Sequence, residues 1–425
     1  MSTSTVQRSS QRIAILHYTL PPVVGGVEST IGQHARLLAE AGYRVSAIGG
    51  RGQAWHSGVG LLILPELDSL HPEVLAVKQE LDRGEVSSRF HDLRGRIAGR
   101  LRVDLADCGA LIAHNVLTLH KNLPLTAALH DLYSEGGSPT MRFVAWHHDL
   151  AWCSAQYARD LHAGYPWDLL RVPWKDVVHV TVSQSRRDQL ASLYGIARES
   201  VRVVPPGVDA AAFWRWTDMT RRTVEACRLW EAELILLLPA RITRRKNVQL
   251  ALRTLACLRS STGLDARLIV TGPPGAHNPS NTAYLARLQA LRAELGLEEA
   301  AHFLYELGAG DKTLVPDEAT LADLFLLADG LLFPSLEEGF GIPLLEAGLA
   351  RLPVFCSDIP PLRATGQSDV HYFSSAATPE IVADLIADSL LVDPAFCLRR
   401  RVLSGYRWER ILRDHLIPLV EERQG

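Results

Sequence analysis

Short apolar runs without an alternating polar face, each followed by an amphipathic stretch, recur along most of the chain. Arg12-Ile-Ala-Ile-Leu-His17 is the first. Such a run reads as a parallel strand buried on both faces, since a half-exposed strand would alternate. It leads into the loop Tyr18-Thr-Leu-Pro-Pro-Val-Val-Gly-Gly26, after which a helix is predicted over 27–41 with Ile31, Ala35, Leu38 and Ala39 on one face. Gly42 stops that helix, and Arg44-Val-Ser-Ala-Ile48 forms the next strand. Strand, loop, helix and strand make a βαβ unit, whose ligands lie at the carboxyl ends of the strands. The same signal predicts strands at 60–65, 110–115, 141–146, 177–182 and 201–204, with a long helical region over 72–103. A second series follows at 234–238, 266–272, 301–305, 330–333 and 354–356, with helices near 221–230, 282–295 and 318–327 and a turn at 362–366. The pattern therefore predicts an α/β chain of two domains, 11–210 and 211–404, after a flexible tail at 1–10. Trp408, Ile411, Leu412, Leu416 and Leu419 have helical spacing and predict a terminal helix within 405–425.

One stretch carries more chemistry than the rest: Pro334 to Pro353, PSLEEGFGIPLLEAGLARLP. The apolar run Gly330-Leu-Leu-Phe333 enters a Pro-Ser turn, followed by Glu337, Glu338, a Gly-Phe-Gly segment and a helix opened by Pro343 and carrying Glu346. Free N–H groups at a helix start, with no side chains on Gly339 and Gly341 to block approach, suit a phosphate. Carboxylates repel phosphate, so Glu338 and Glu346 make sense if they hold hydroxyl-rich parts of the same ligand, a ribose and a hexose. The bland reading is a glycine-rich turn with solvated glutamates.

Composition narrows the picture only a little. With 425 residues, 47% hydrophobic and 21% charged, the chain is long enough for more than one full core. A net charge of -3 argues against a general nucleic-acid binder. The six cysteines, at 108, 153, 227, 257, 356 and 397, show no zinc or redox spacing and read as buried apolar residues of a reduced compartment. No signal peptide and no membrane-length apolar run is visible, so a cytoplasmic protein is expected. The basic amphipathic segment 87–102 could rest on an anionic membrane, but Asp92 and Asp104 dilute its charge and favour an ordinary surface helix. The aromatic-rich stretch 151–174, with Trp152, Tyr157, Tyr165, Trp167 and Trp174, reads either as a wall against a sugar ring or as a local core.

Glu338-Gly-Phe-Gly followed by Glu346 resembles the signature of the retaining family 4 glycosyltransferases, also called glycosyl transferases group 1, and further spaced motifs extend the resemblance over most of the chain. It implies the GT-B fold: two Rossmann-like domains with parallel sheets facing across a cleft, acceptor mainly on the first and donor mainly on the second. A terminal helix that packs back on the first domain is also expected. In Pro239-Ala-Arg-Ile-Thr-Arg-Arg-Lys-Asn247, Arg241 and Lys246 match the family's paired cations on the donor diphosphate. The resemblance gives the diphosphate Gly341, Ile342, Pro343 and Leu344, the ribose Glu346, and the sugar Glu338 with His148. Gly25 and Gly26 lie near the donor phosphates, although glycine could serve there only for its dihedrals. Backbone at Leu304 and Tyr305 holds the base. Catalytic roles fall to Glu338, His148, Arg241 and Lys246, with His147 a packing alternative to His148. Asn115, His120, Lys121, Trp146 and Asp149 are candidates for the acceptor side. Pro206 stands where the family usually has Asn before Gly-Val-Asp, so any contact of that amide is lost.

The implied activity is metal-independent transfer of a hexose, glucose or mannose, from a UDP- or GDP-linked sugar to a hydroxyl acceptor, with retention by front-face attack. No cofactor is required beyond the nucleotide sugar as co-substrate, and no Asp-x-Asp occurs in the chain. The acceptor can be a small glycoside, a saccharide or a lipid. No nucleic acid is expected as a partner, and homo-oligomerisation is left open. A nucleotide-sugar epimerase of the same architecture, a phosphorylase, and a non-catalytic nucleotide-sugar-binding protein are the rival readings.

Overall fold

The computed structural model describes residues 11–134, 141–275, 280–308 and 314–422, so the expected tail at 1–10 lies outside the described residues. The chain divides into two compact units, Met1–Gly207 with Trp408–Gly425, and Val208–Arg407. Each is an all-parallel sheet with helices on it, which is the expected fold class.

In the first unit the strands are β1 (Arg12–Leu16), β2 (Arg44–Gly49), β3 (Val59–Ile63), β4 (Cys108–His114), β5 (Arg142–His147), β6 (Val178–Thr181) and β7 (Val201–Val203). Their order in the sheet is β3-β2-β1-β4-β5-β6-β7. Ile13 to Leu16 are wholly buried, as an apolar run without alternation requires. The helix Gly26–Glu40 buries Ile31, Ala35 and Leu38, and Gly42 behind it takes a φ of +95°, a conformation open to glycine. The long helical region is two helices, Pro72–Leu81 and Ser88–Asp104; the Ser87 hydroxyl accepts from the Phe90 N–H and restarts the second. That second helix buries Phe90, Leu93, Ile97 and Leu101, while Arg94 pairs with Asp131 at 3.3 Å and Arg100 with Asp104 at 2.8 Å. The stretch 151–174 is a run of short 3-10 turns whose Trp167 and Trp174 belong to the core. Of its two readings, local core holds for these rings.

The terminal segment runs through Trp408–Ile411, a π-turn at Leu412–Leu416 and Ile417–Glu421. Its Trp408, Ile411, Leu416, Leu419 and Val420 share a core cluster with Ile31, Leu38 and Val45 of the first unit. Glu422 is held there by Arg142, at 3.2 Å, and by Arg202.

The second unit contains β8 (Leu234–Leu238), β9 (Ala266–Val270), β10 (Ala301–Phe303), β11 (Gly330–Phe333), β12 (Val354–Ser357) and β13 (His371–Phe373), in the order β10-β9-β8-β11-β12-β13. Two expectations need correction here. The turn at 362–366 is part of a helix, Pro360–Gly366, because two prolines in the first turn cost it no intrahelical bond. The strand at 301–305 stops at Phe303, and Leu304–Leu307 is a 3-10 turn. All six cysteines are free, but only Cys108, Cys227 and Cys356 are buried as expected; Cys257 is partly exposed and Cys153 and Cys397 are exposed. Among the described residues no helix is long and apolar enough to cross a membrane.

Candidate active site

In the second unit the strand order reverses between β8 and β11, so the chain leaves these neighbours toward opposite sides and opens a crevice at their carboxyl ends. The two motif loops emerge there, 239–247 after β8 and 334–341 after β11. The Leu336 N–H donates to the Arg245 carbonyl at 2.7 Å, which ties one loop to the other. Lys246 Nζ pairs with Glu338 Oε1, their side chains only 11% and 8% exposed, and also lies 4.7 Å above the Phe333 ring. Arg245 Nη1 is 3.8 Å from Glu338 Oε2. Arg241 differs from these: its side chain is exposed and has no ion pair among the described residues.

The helix Ile342–Leu349 begins at Gly341, whose φ of +96° and close approach to Leu362 exclude a side chain; a Cβ there would meet Leu362 Cδ2 at 2.6 Å. Of the three residues expected to offer N–H groups, Pro343 has none, and the Leu344 N–H turns back to the Gly341 carbonyl at 3.0 Å. That leaves the Ile342 N–H as the first-turn donor. Glu346, a turn further on, is half-buried, and burial raises its carboxyl above the usual carboxylate value. Leu304 is fully buried, so only its backbone is available, whereas Tyr305 is partly exposed.

The first unit has its own reversal, between β1 and β4, and Gly25 and Asn115 follow these two strands. Gly25 is extended, with φ -175°, so dihedral freedom is not why it is glycine. A Cβ at Gly25 would overlap Glu28 Oε2, while one at Gly26 would meet nothing within 4 Å. Glu28 was not among the sequence candidates. Its Oε1 accepts from Thr19 Oγ1 at 2.6 Å and lies 3.9 Å from His17 Nε2. An acidic residue three positions after Gly25, in the first turn of a helix leaving a strand end, was the available signal.

Asn115, just after β4, has a left-handed conformation, φ +60°, and is almost fully buried. Its Oδ1 accepts from the His148 N–H at 2.8 Å and the Asp149 N–H at 3.1 Å, so it shapes the turn that carries both. His148 is half-buried, and its Nε2 lies 3.0 Å from His114 Nδ1. Burial, with a smaller contribution from His17, lowers its pKa to about 3. His147 sits in the core between Thr118 Oγ1 and His179 Nδ1, each at 3.1 Å, which is the packing role. Asp149 lies 3.5 Å from Arg186.

The acceptor candidates do not form one group. Trp146 must be corrected: it is 1% exposed, with its ring 4.6 Å from that of His34 inside the core, because its position on β5 points it under the sheet's covering helix. His120 is likewise buried, 3.2 Å from Asp160 and edge-on to Tyr157. Lys121 is exposed. No group of three or more His, Cys, Asp or Glu among the described residues is arranged to hold a metal ion.

Two Rossmann-like parallel-sheet units in one chain, each with its candidate loops at a strand-order reversal, place the protein in the GT-B fold class. Family comparison agrees: the model described as Glycosyltransferase Family 4 matches residues 24–212, and the one described as Glycosyl transferases group 1 matches residues 225–394. The chain belongs to this glycosyltransferase family. Among its relatives is a mannosylglucosylglycerate synthase of Petrotoga mobilis, 23% identical over 273 residues, 60% of this chain and 61% of the relative. Another is a D-inositol 3-phosphate glycosyltransferase of Saccharomonospora viridis, 32% identical over 176 residues, 40% of this chain and 37% of the relative. The matched part of this chain thus spans less than two thirds of either relative's length. A solved glycosyltransferase from Rickettsia africae matches 97% of this chain and 98% of its own at 15% identity, with a TM-score of 0.35.

Proposed function

We propose that the protein transfers a hexose, glucose or mannose, from a UDP- or GDP-linked sugar to a hydroxyl acceptor, with retention of anomeric configuration. The observation that carries this reading is the Lys246–Glu338 pair at the β8/β11 reversal, with Arg241 in the same loop as Lys246 and without an ion pair among the described residues. In the free protein Glu338 is the counter-charge of Lys246. A donor diphosphate brings a stronger one, so Lys246 and Arg241 turn to the phosphates and the Glu338 carboxylate is released to accept from sugar hydroxyls. Glu346 accepts from the ribose hydroxyls; a carboxyl already partly desolvated loses little more on meeting them. In the first unit His148 is the proposed sugar ligand.

As the bond between the anomeric carbon and the diphosphate oxygen breaks, the leaving group gains negative charge, and two fixed cations stabilise it most in the transition state. They supply the charge that a divalent metal supplies elsewhere, which supports metal-independent transfer. The acceptor oxygen forms its bond on the face the leaving group vacates, and its proton passes to the departing phosphate oxygen. The product named for one relative, mannosylglucosylglycerate, and the D-inositol 3-phosphate named for the other suggest glycerate glycosides and inositol phosphate as the first acceptors to screen, and exposed Lys121 suits an anionic one.

A thermal-shift panel of UDP-, GDP- and ADP-sugars identifies the donor, and acceptor screening follows with NMR of the product anomer. Arg241→Ala with Lys246→Ala together should lower kcat by at least about a hundredfold. Undiminished turnover in that double variant, an inverted anomer, or a donor epimerised at C2 without any acceptor would each overturn the reading.

A further inference from the structure

His114, the last residue of β4, is wholly buried, and its ring lies 5.5 Å from those of Trp146 and His34. Its Nδ1 is 3.0 Å from Nε2 of His148, the candidate sugar ligand. Its own Nε2 is buried and has no hydrogen-bond partner among the described residues. The surroundings hold both rings neutral: burial first and then neighbouring histidines push His114 well below its ordinary value, and His148 is lowered to about 3. Two neutral imidazoles in contact share a single proton between them, so one donates and the other accepts.

The two arrangements differ in what they leave inside the protein. If His148 Nε2–H donated, His114 would carry its proton on Nε2, and a buried N–H would point at nothing. If His114 Nδ1–H donates, His114 Nε2 keeps only a lone pair, and the buried orphan is an acceptor. Among backbone groups an orphaned N–H is rarer in protein interiors than an under-satisfied acceptor, and we take the same order for the ring nitrogens. The second arrangement also fixes His148: with Nε2 accepting, its proton must sit on Nδ1. The backbone around the pair is braced to match. Asn115 Oδ1 takes the His148 and Asp149 N–H groups, and the His114 carbonyl, which can only accept, takes Nδ1–H of His17 at 2.8 Å.

We propose that His114 is a positioning residue: its Nδ1–H donates to His148 Nε2, holds that ring in one orientation and makes His148 present Nδ1–H to the transferred sugar as a hydrogen-bond donor. The tautomer follows from the geometry of the first unit alone; its use on a sugar rests on the proposed function. Sugar hydroxyl and ring oxygens accept from such a group, and a His148 of the opposite tautomer would meet them with a lone pair.

Long-range 1H–15N correlation of the full-length protein labelled with 15N-histidine reads the tautomer directly, with the His148→Gln spectrum used for assignment. Expected is a protonated Nδ1 and a bare Nε2 at His148. A protonated Nε2 there overturns the inference, and because no substrate is present it does so whether or not the protein proves to be a transferase. His114→Leu should give His148 mixed tautomers and lower kcat about tenfold, the usual order for a supporting hydrogen bond, with donor KM little changed. His114→Asn, whose amide nitrogen lies near the lost Nδ1, should restore both. A His114→Leu protein that folds, keeps the single Nδ1–H tautomer and keeps its kcat refutes the role. Tautomer mixing with unchanged kcat confirms the positioning and removes His148 from the sugar site instead.

Discussion

Lys246 and Glu338 are 92 positions apart, and their pairing depends on β8 lying next to β11. Each side chain is about nine-tenths removed from solvent, so neither charge tolerates the loss of the other. Lys246→Ala should therefore lower stability by roughly 3 kcal/mol through the stranded carboxylate. Adding Glu338→Ala should recover most of the lost Tm while turnover stays absent. Differential scanning calorimetry beside an activity assay makes the distinction, and a pair that serves only the fold would recover both together. The residues themselves were legible in the sequence, through Arg241 and Lys246 after an apolar run and two glutamates around a glycine loop. The ion pair was not, since no local pattern says which strands are neighbours. Glu28 and His114 were missed for the same reason. Their partners, Thr19, His17 and His148, come from other turns and strands.

Strands and their supporting helices were mostly visible in the chain, because a buried parallel strand needs an unbroken apolar run and Leu234–Leu238 or Gly330–Phe333 can be little else. Errors fell where a short cue competed with a pattern, as at Pro360–Gly366, or where a strand ended early, as at Phe303. The end of β9 shows how one element sets another. A Cβ on Gly272 would lie 2.6 Å from the Ala240 carbonyl oxygen and 2.7 Å from the Arg241 nitrogen, both backbone atoms. The Ile242 N–H, one residue on, donates to the Pro273 carbonyl at 3.0 Å, so the two loops are already joined. Gly272→Ala should push the loop that bears Arg241 out of place, raising donor KM severalfold and costing about 1–3 kcal/mol of stability. Steady-state kinetics with a thermal melt tests this; an unchanged KM would mean that Arg241 does not need its present position.

For the whole molecule, the first unit carries an unusual load of buried histidine. His34 and His148 are lowered to about 3 and His179 to about 4, in each case chiefly by burial, from an ordinary value of 6.5. The unfolded chain accepts protons there below about pH 6.5 that the folded chain refuses. Stability is therefore complete above that pH and drains away as pH falls from it toward the folded values. A Tm that declines steadily between neutral pH and pH 5 is expected. His34 has no partner on either ring nitrogen among the described residues and packs on Trp146, so His34→Phe should keep the fold and flatten that decline. An unaltered slope would assign the acid sensitivity to other groups.

Apolar periodicity and glycine placement were enough for the succession of βαβ elements, since a strand or helix must match its own side-chain spacing to a buried face wherever it ends up. The spaced cations and carboxylates were enough for the family. The assembled fold alone settled which charges meet: Lys246 with Glu338, Asn115 with the His148–Asp149 turn, His114 with His148. It also settled which candidates are buried, removing Trp146 and His120 from view, and how residues 408–421 complete the core of a unit that begins some four hundred residues earlier. Contacts between distant residues follow from strand order and sheet register, and those are decided by the cooperative burial of the entire core.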